Sequence, residues 1–96
     1  MAKEKRYSFP DFTLTHDLKT WPESFDAIER GEKSHEVREN DRDFCVGDFL
    51  RLKRWDPAAG VYTGRELLVV ITYCGDLGQY DSRLAGFVSM SIEKIK

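Results

Sequence analysis

The chain has little of what most quickly reveals a protein's chemistry. It carries two cysteines and two histidines in 96 residues. Cys45 and Cys74 stand apart with no C-x-x-C pair and no Cys/His cluster around them, so reduced thiols are expected rather than a disulfide framework. With only His16 and His35 besides, a structural zinc site is not expected, and no other metal or cofactor is implied. The longest apolar run, Leu67 to Ile71, is far short of the roughly 20 residues that a membrane span needs. MAKEKRYSF at the start has charge but no apolar core behind it, which is not a signal peptide, so a cytoplasmic protein is the expectation. Charge of one sign is missing too: 15 Lys and Arg face 17 Asp and Glu, for a net charge of −2. That balance argues against a broad surface for duplex DNA but leaves room for a local basic groove. Repeats and low-complexity segments are absent.

What remains suits one small domain. Hydrophobic residues make up 41% of the chain and six Phe, four Tyr and two Trp supply bulk for a core. A chain of this length buries somewhat over about 60% of its unfolded surface, enough to fold without staples. Residues 1–10 read as a polar arm, pinned at most by Tyr7 or Phe9, and residues 11–96 as the single domain.

The periodicity then switches repeatedly. Phe12, Leu14, His16 and Leu18 alternate with polar residues, as in a half-buried strand. TWPE at 20–23 has the form of a capping box, with Thr20 accepting from the amide three residues on and Pro22 in the first turn. Trp21, Phe25 and Ile28 follow at helical spacing, and Gly31 is a natural left-handed stop, so a helix is expected over residues 21–30 with Trp21 and Phe25 in the core. Beyond it, Lys33, His35 and Val37 share one face of an extended segment and Ser34, Glu36 and Arg38 the other. Asn40-Asp41 and Val46-Gly47-Asp48 read as turns. Residues 49–55 and 61–73 read as the arms of a hairpin reversed by Asp56-Pro57-Ala58-Ala59-Gly60. Within the second arm LLVVITY is continuously apolar, as a strand covered on both faces would be. Residues 75–85 form the longest loop, a candidate lid, and residues 86–92 alternate as a last strand. The fold class is mainly β with one clear N-terminal helix, in a small closed or nearly closed barrel plugged by that helix.

Residues 31–44, GEKSHEVRENDRDF, place dense mixed charge between two core elements. A strand solvated on one side gives this pattern with no function at all. Against that, Lys33 and Arg38 bracket Glu36 as a set able to hold an anion or polarise a carbonyl, Lys19 ends the first strand near a barrel mouth, and Arg42 adds charge. Lys33 in a partly desolvated cleft would be a base or nucleophile, whereas Glu36 beside it favours its charged form and an ion pair. Both roles stay open. Arg38 offers a planar fork for a phosphate or a base edge. Asn40, Asp41 and Arg42 suit a turn better than ligand contact. A half-buried histidine satisfied by a neighbour is the simpler reading for His35, while His16 is balanced between that and the site. Trp55, Tyr62 and Tyr80 are the aromatics expected to be exposed, where a base stacks for about 1–3 kcal/mol, although hairpin packing also accounts for Trp55 and Tyr62.

His16-x-Leu18-Lys19-x-x-Pro22, Phe25-x-x-Ile28-x-x-Gly31-x-Lys33-x-x-Glu36-x-Arg38, Asn40-Asp41-Arg42-x-Phe44-x-Val46-Gly47-Asp48 and the hairpin from Asp56 to Glu66 together resemble the ASCH group of the PUA-like superfamily. Within it they are most similar to a small bacterial and phage family of unassigned function. The resemblance covers roughly residues 13–92. It implies a PUA-like β-barrel whose cleft is lined by the Gly-x-Lys-x-x-Glu-x-Arg strand and binds RNA or a nucleotide-like small ligand. His16, Lys19, Lys33, Ser34, Glu36, Arg38 and Arg42 are the expected ligand-binding residues. Some ASCH proteins are small amidohydrolases that cleave N4-acetylcytidine with a signature lysine, a threonine and a later glutamate. Lys33 matches the lysine, the threonine position falls on Glu36, and Glu66 and Glu93 are the candidates for the glutamate. Lys33 and Glu36 are therefore the candidate catalytic pair, in an expectation that leans toward binding rather than catalysis. A third alternative is a protein-interaction module, such as a phage factor, acting through the hairpin at 55–65.

Overall fold

The computed structural model describes residues 13–95. The expected arm at 1–10, with Tyr7 and Phe9, and the first apolar position of the opening strand, Phe12, lie outside the described residues. The elements run β1 (Thr15–Thr20), α1 (Pro22–Glu29), β2 (His35–Glu39), β3 (Phe49–Asp56), β4 (Val61–Asp76) and β5 (Phe87–Lys94), with two short 3-10 turns, Leu77–Gln79 and Ser82–Leu84, between the last two. All five strands form one sheet in the order β1-β3-β4-β5-β2, parallel between β1 and β3 and antiparallel elsewhere.

The sheet curls because β4 is irregular. Residues 63–65 of β4 oppose the single residue Arg54 of β3, with Gly64 at φ 91°, a backbone region that favours glycine. Further on, Ile71 and Tyr73 pair with the adjacent residues Ile92 and Ser91, so Thr72 is an extra residue. Bulges of this kind bend a strand and raise its twist. The second one also resolves LLVVITY. Val69 and Ile71 are buried, then the inward phase slips by one and Cys74 is the next residue inside. Leu68 and Tyr73 are exposed, so this strand is covered on one face and not on both. Its unbroken apolarity records a change of face midway.

The sheet remains an open half-barrel rather than the closed or nearly closed barrel that the sequence suggests, and β1 and β2 are its two free edges. Phe49 N donates to Leu14 O, so alternate carbonyls of β1 face β3 and those of Asp17 and Lys19 face away. Guanidinium groups occupy those outward carbonyls: Arg38 Nη2 donates to Lys19 O at 2.9 Å and Arg42 Nη1 to Asp17 O at 2.6 Å. Side chains thus bridge a seam that backbone pairing leaves open.

The concave face holds the core, with Leu18, Leu50, Leu52, Val69, Ile71, Val88, Met90 and Ile92 of the sheet packed on Phe25 and Ile28 of α1. Phe44 and both cysteines are also buried, and neither cysteine is joined in a disulfide. The hairpin reversal is as expected, with Asp56 Oδ1 accepting from the amides of Ala58 and Ala59.

The helix departs from its sequence reading at one end. Trp21, not Thr20, is the N-cap residue, no side chain caps the helix, and Pro22 is its first residue. Thr20 ends β1 and turns its hydroxyl to Leu18 O. The capping box fails because β1 runs directly into the helix and keeps Thr20 extended and buried, and Trp21 is then left outside the core. The other end is as expected. Glu32 N donates to Ala27 O and Gly31 N to Ile28 O, with Gly31 at φ 81°, which is a Schellman closure.

Arg54 leaves the sheet to meet the helix, donating through Nε and Nη2 to the two carboxylate oxygens of Asp26 at 2.9 and 3.0 Å. That hydrogen bond, followed by the positive charge of Arg54, holds the Asp26 carboxyl below its ordinary 3.8. A carboxyl lowered on folding stabilises the fold fully above its unfolded pKa and loses that contribution as pH falls through the folded value. Asp26→Asn should therefore be less stable than the parent at neutral pH, with the two stability curves converging below 3.8. Urea unfolding followed by circular dichroism across the acid range checks this, and parallel curves at every pH would contradict it.

Candidate functional site

β5 decides which way β2 faces. Its alternation buries Val88, Met90 and Ile92. In the antiparallel register Glu36 pairs with Met90 and Arg38 with Val88, so those two polar residues share the inner face. Val37 is turned out and His35 with it, contrary to the apolar facing expected for them from the sequence. Exposing one valine costs less than exposing the three apolar side chains of β5.

Glu36 is only 4% exposed. A carboxylate this deep is costly unless paired and hydrogen-bonded. Arg38 Nε donates to its Oε2 at 2.8 Å, and Lys33 Nζ lies 3.9 Å from Oε1. Lys33 also donates to Ser24 Oγ on the first turn of α1. Arg38 commits only part of its five-donor fork to Glu36 and Lys19 O, so donors remain for a further group.

These residues line an open cleft of about 530 Å³ between β1, the start of α1 and β2. Lys19, Lys33, Glu36 and Arg38 all border it, together with Thr20, Trp21, Ser24, His35 and Val37. Three cationic side chains therefore face one carboxylate, in a chain that is slightly acidic overall. Trp21 is 60% exposed at this cleft. Sequence reasoning missed Trp21 and Ser24. The only signal was the tryptophan before Pro22, which helical spacing assigned to the core instead.

The other expected site residues lie elsewhere. Ser34 borders an adjoining cavity of about 500 Å³ with Ile28, Val69 and Ile92, and Lys33 stands between the two hollows. Arg42 is engaged with Asp17 O and does not line the cleft. His16 is buried, its Nε2 2.9 Å from Asp48 Oδ2 and its ring edge-on to Phe44. A carboxylate can only accept, so Nε2 carries the proton. Asp48 also accepts from the amides of Leu14 and Cys45, which makes it a junction between β1 and the turn before β3. The segment at 75–85 is ordered by Asp76 and Asp81, which accept from the amides of Gly78 and Arg83, and it borders a separate small hollow. Among the described residues no group of three His, Cys, Asp or Glu could hold a metal ion, and no helix is long and apolar enough to cross a membrane.

Together these features define a class: a small, mainly β half-barrel with one short helix and a cation-rich polar cleft at its open seam. Residues 15–92 match the family described as "Domain of unknown function (DUF3850)", and the chain belongs to that family. It is also 37% identical over 65 residues to the "Uncharacterized 12.9 kDa protein in GpA 3'region" of Escherichia phage P2. The aligned stretch covers 68% of this chain and 58% of that protein.

Removing the carboxylate should leave two cations facing each other without compensation. Glu36→Ala is expected to lower stability by about 2 kcal/mol, and Glu36→Gln, which still accepts from Arg38, by less. Urea titrations at neutral pH measure both, and no loss of stability in either variant would show that the charge on Glu36 contributes nothing.

Proposed function

We propose that this chain is an RNA- or nucleotide-binding module of the PUA-like, ASCH type, with its ligand in the cleft bordered by Lys19, Lys33, Glu36 and Arg38. One observation carries the reading: a buried carboxylate held between two cations at the floor of a cleft with an exposed indole at its wall. Each part matches a part of a nucleotide. The ring of Trp21 offers a base a stacking face. Glu36 accepts from a base N–H, and the spare donors of Arg38 suit a phosphate or a base edge. Lys33 and Lys19 add positive charge where a phosphate would approach. A cleft of about 530 Å³, in a chain without net positive charge, fits a nucleotide or a single strand better than duplex DNA.

In a titration of ribonucleoside monophosphates and short RNAs, Arg38→Ala and Lys33→Ala should each weaken binding about tenfold, the loss of one charge-assisted contact. Circular dichroism checks that both variants stay folded. If neither substitution changes affinity for any nucleotide or RNA that binds, the reading is wrong.

The contact of Lys33 with Ser24 Oγ favours a second reading, a small amidohydrolase acting on an acylated nucleoside such as N4-acetylcytidine. A hydroxyl beside an amine and a carboxylate has the makings of an activated nucleophile. Lys33 Nζ also lies 3.9 Å from Glu36 Oε1, an ion-pair placement that suits binding or carbonyl polarisation. This reading requires acetate release from N4-acetylcytidine that disappears in Lys33→Ala and Ser24→Ala. The absence of turnover across a panel of acylated nucleosides would retire it.

A further inference from the structure

The convex face of the sheet carries two lysines that the cleft alone does not explain. Lys19 of β1 and Lys53 of β3 stand opposite each other in the parallel register, a placement where like charges repel. Two carboxylates on the same sheet are drawn elsewhere. Asp17 accepts from Arg51 at 2.7 Å, and Glu66, the cross-strand neighbour of Lys53, lies 3.9 Å from the same Arg51. The ammonium groups rest on aromatic rings instead: Lys19 Nζ is 4.0 Å from the centre of the Trp55 ring, and Lys53 Nζ is 4.8 Å from that of Tyr62. Those rings pair edge to face across the hairpin, 4.9 Å apart. Two cations and two rings thus form a strip across β1, β3 and β4. Lys19 joins it to the cleft, since the same side chain borders both.

We infer that this strip is a second binding segment continuous with the cleft, and that the ligand is a single strand of more than one nucleotide rather than a free mononucleotide. The inference rests on the cleft reading above and extends it. A strand leaving the cleft past Lys19 would bring its next phosphate between two lysines that have no carboxylate partner among the described residues, relieving their repulsion. Its next base would lie against Trp55 or Tyr62, where stacking is tolerant of sequence. A protein partner would call for a larger apolar surface or carboxylates of its own, whereas alternating cations and rings match the alternating phosphates and bases of one strand.

The test compares two probes, a mixture of the four ribonucleoside monophosphates and a random-sequence RNA hexanucleotide, on the parent and on Tyr62→Ala, Lys53→Gln and Arg38→Ala. Tyr62 is exposed and Lys53 lies on the sheet surface, so both variants should fold. The parent is expected to bind the hexanucleotide at least about tenfold more tightly than the monophosphates. Tyr62→Ala should remove about tenfold of hexanucleotide affinity and leave monophosphate affinity unchanged. Lys53→Gln should lower the salt dependence of hexanucleotide binding by about 0.7 in logarithmic slope. Hexanucleotide affinity unchanged in both variants, with Arg38→Ala still weakening both probes, would overturn the strip and leave the cleft standing. Strip variants that weaken the hexanucleotide while Arg38→Ala has no effect would support the strip and refute the cleft. Failure of the parent to bind either probe would refute both.

Discussion

The guanidinium of Arg38 joins the two edges of the sheet and makes a buried carboxylate tolerable. It donates to Glu36 on its own strand and to the Lys19 carbonyl on β1. Without it, Glu36 would sit in the interior with only a more distant lysine, and an edge carbonyl of β1 would lose its partner. A backbone acceptor and a carboxylate both need donors, and one planar fork supplies them at once. The seam is therefore held at a spacing set by an arginine side chain, wider than the interval of paired strands. That extra width is the cleft.

A site made this way couples binding to architecture. The groups proposed to meet a ligand are the groups that hold β2 against β1, so under that proposal changes to them would act on stability and on affinity together. It also places polar chemistry on the concave face of the sheet, next to a core of aliphatic side chains. The Asp48 junction with His16 and the Asp26–Arg54 pair fix the neighbouring parts of β1 and α1. The flanks of the cleft are thus tied to the sheet independently of Arg38.

Much of this was legible in the residues. The alternation in β1 and β5, the Gly31 stop, the two turns before β3 and the Asp56–Gly60 reversal all arise from local preferences that tertiary contacts did not override. The grouping of Lys19, Lys33, Glu36 and Arg38 was legible from the way Lys33 and Arg38 bracket Glu36 and from the place of Lys19 at the end of the first strand. Alternation alone set Lys33 on the opposite face, whereas Lys33 in fact precedes β2. The misreadings share a cause. Thr20 and Trp21 fit a capping pattern, but the strand before the helix claimed the threonine. LLVVITY hid a bulge, which inserts a residue without any marker in composition. Val37 and His35 belonged to the inner face by hydrophobicity alone, and the partner strand reversed them. Ser34, although it stands between two residues that border the cleft, borders the adjoining hollow, and Arg42 lies past the end of β2 and is engaged with the Asp17 carbonyl.

The sequence by itself determined the succession of elements, the single core, the lack of a membrane-length helix, and the presence of a polar strand rich in both charges. Those follow from periodicity and turn chemistry, which act over a few residues. Only the tertiary structure decided that the sheet stops at a half-barrel, that the charged face of β2 turns inward, and that Trp21 stands in the open beside it. Each depends on register between segments far apart in the chain. Such a register is chosen by the total apolar surface buried across the sheet, a sum that no short stretch of residues contains.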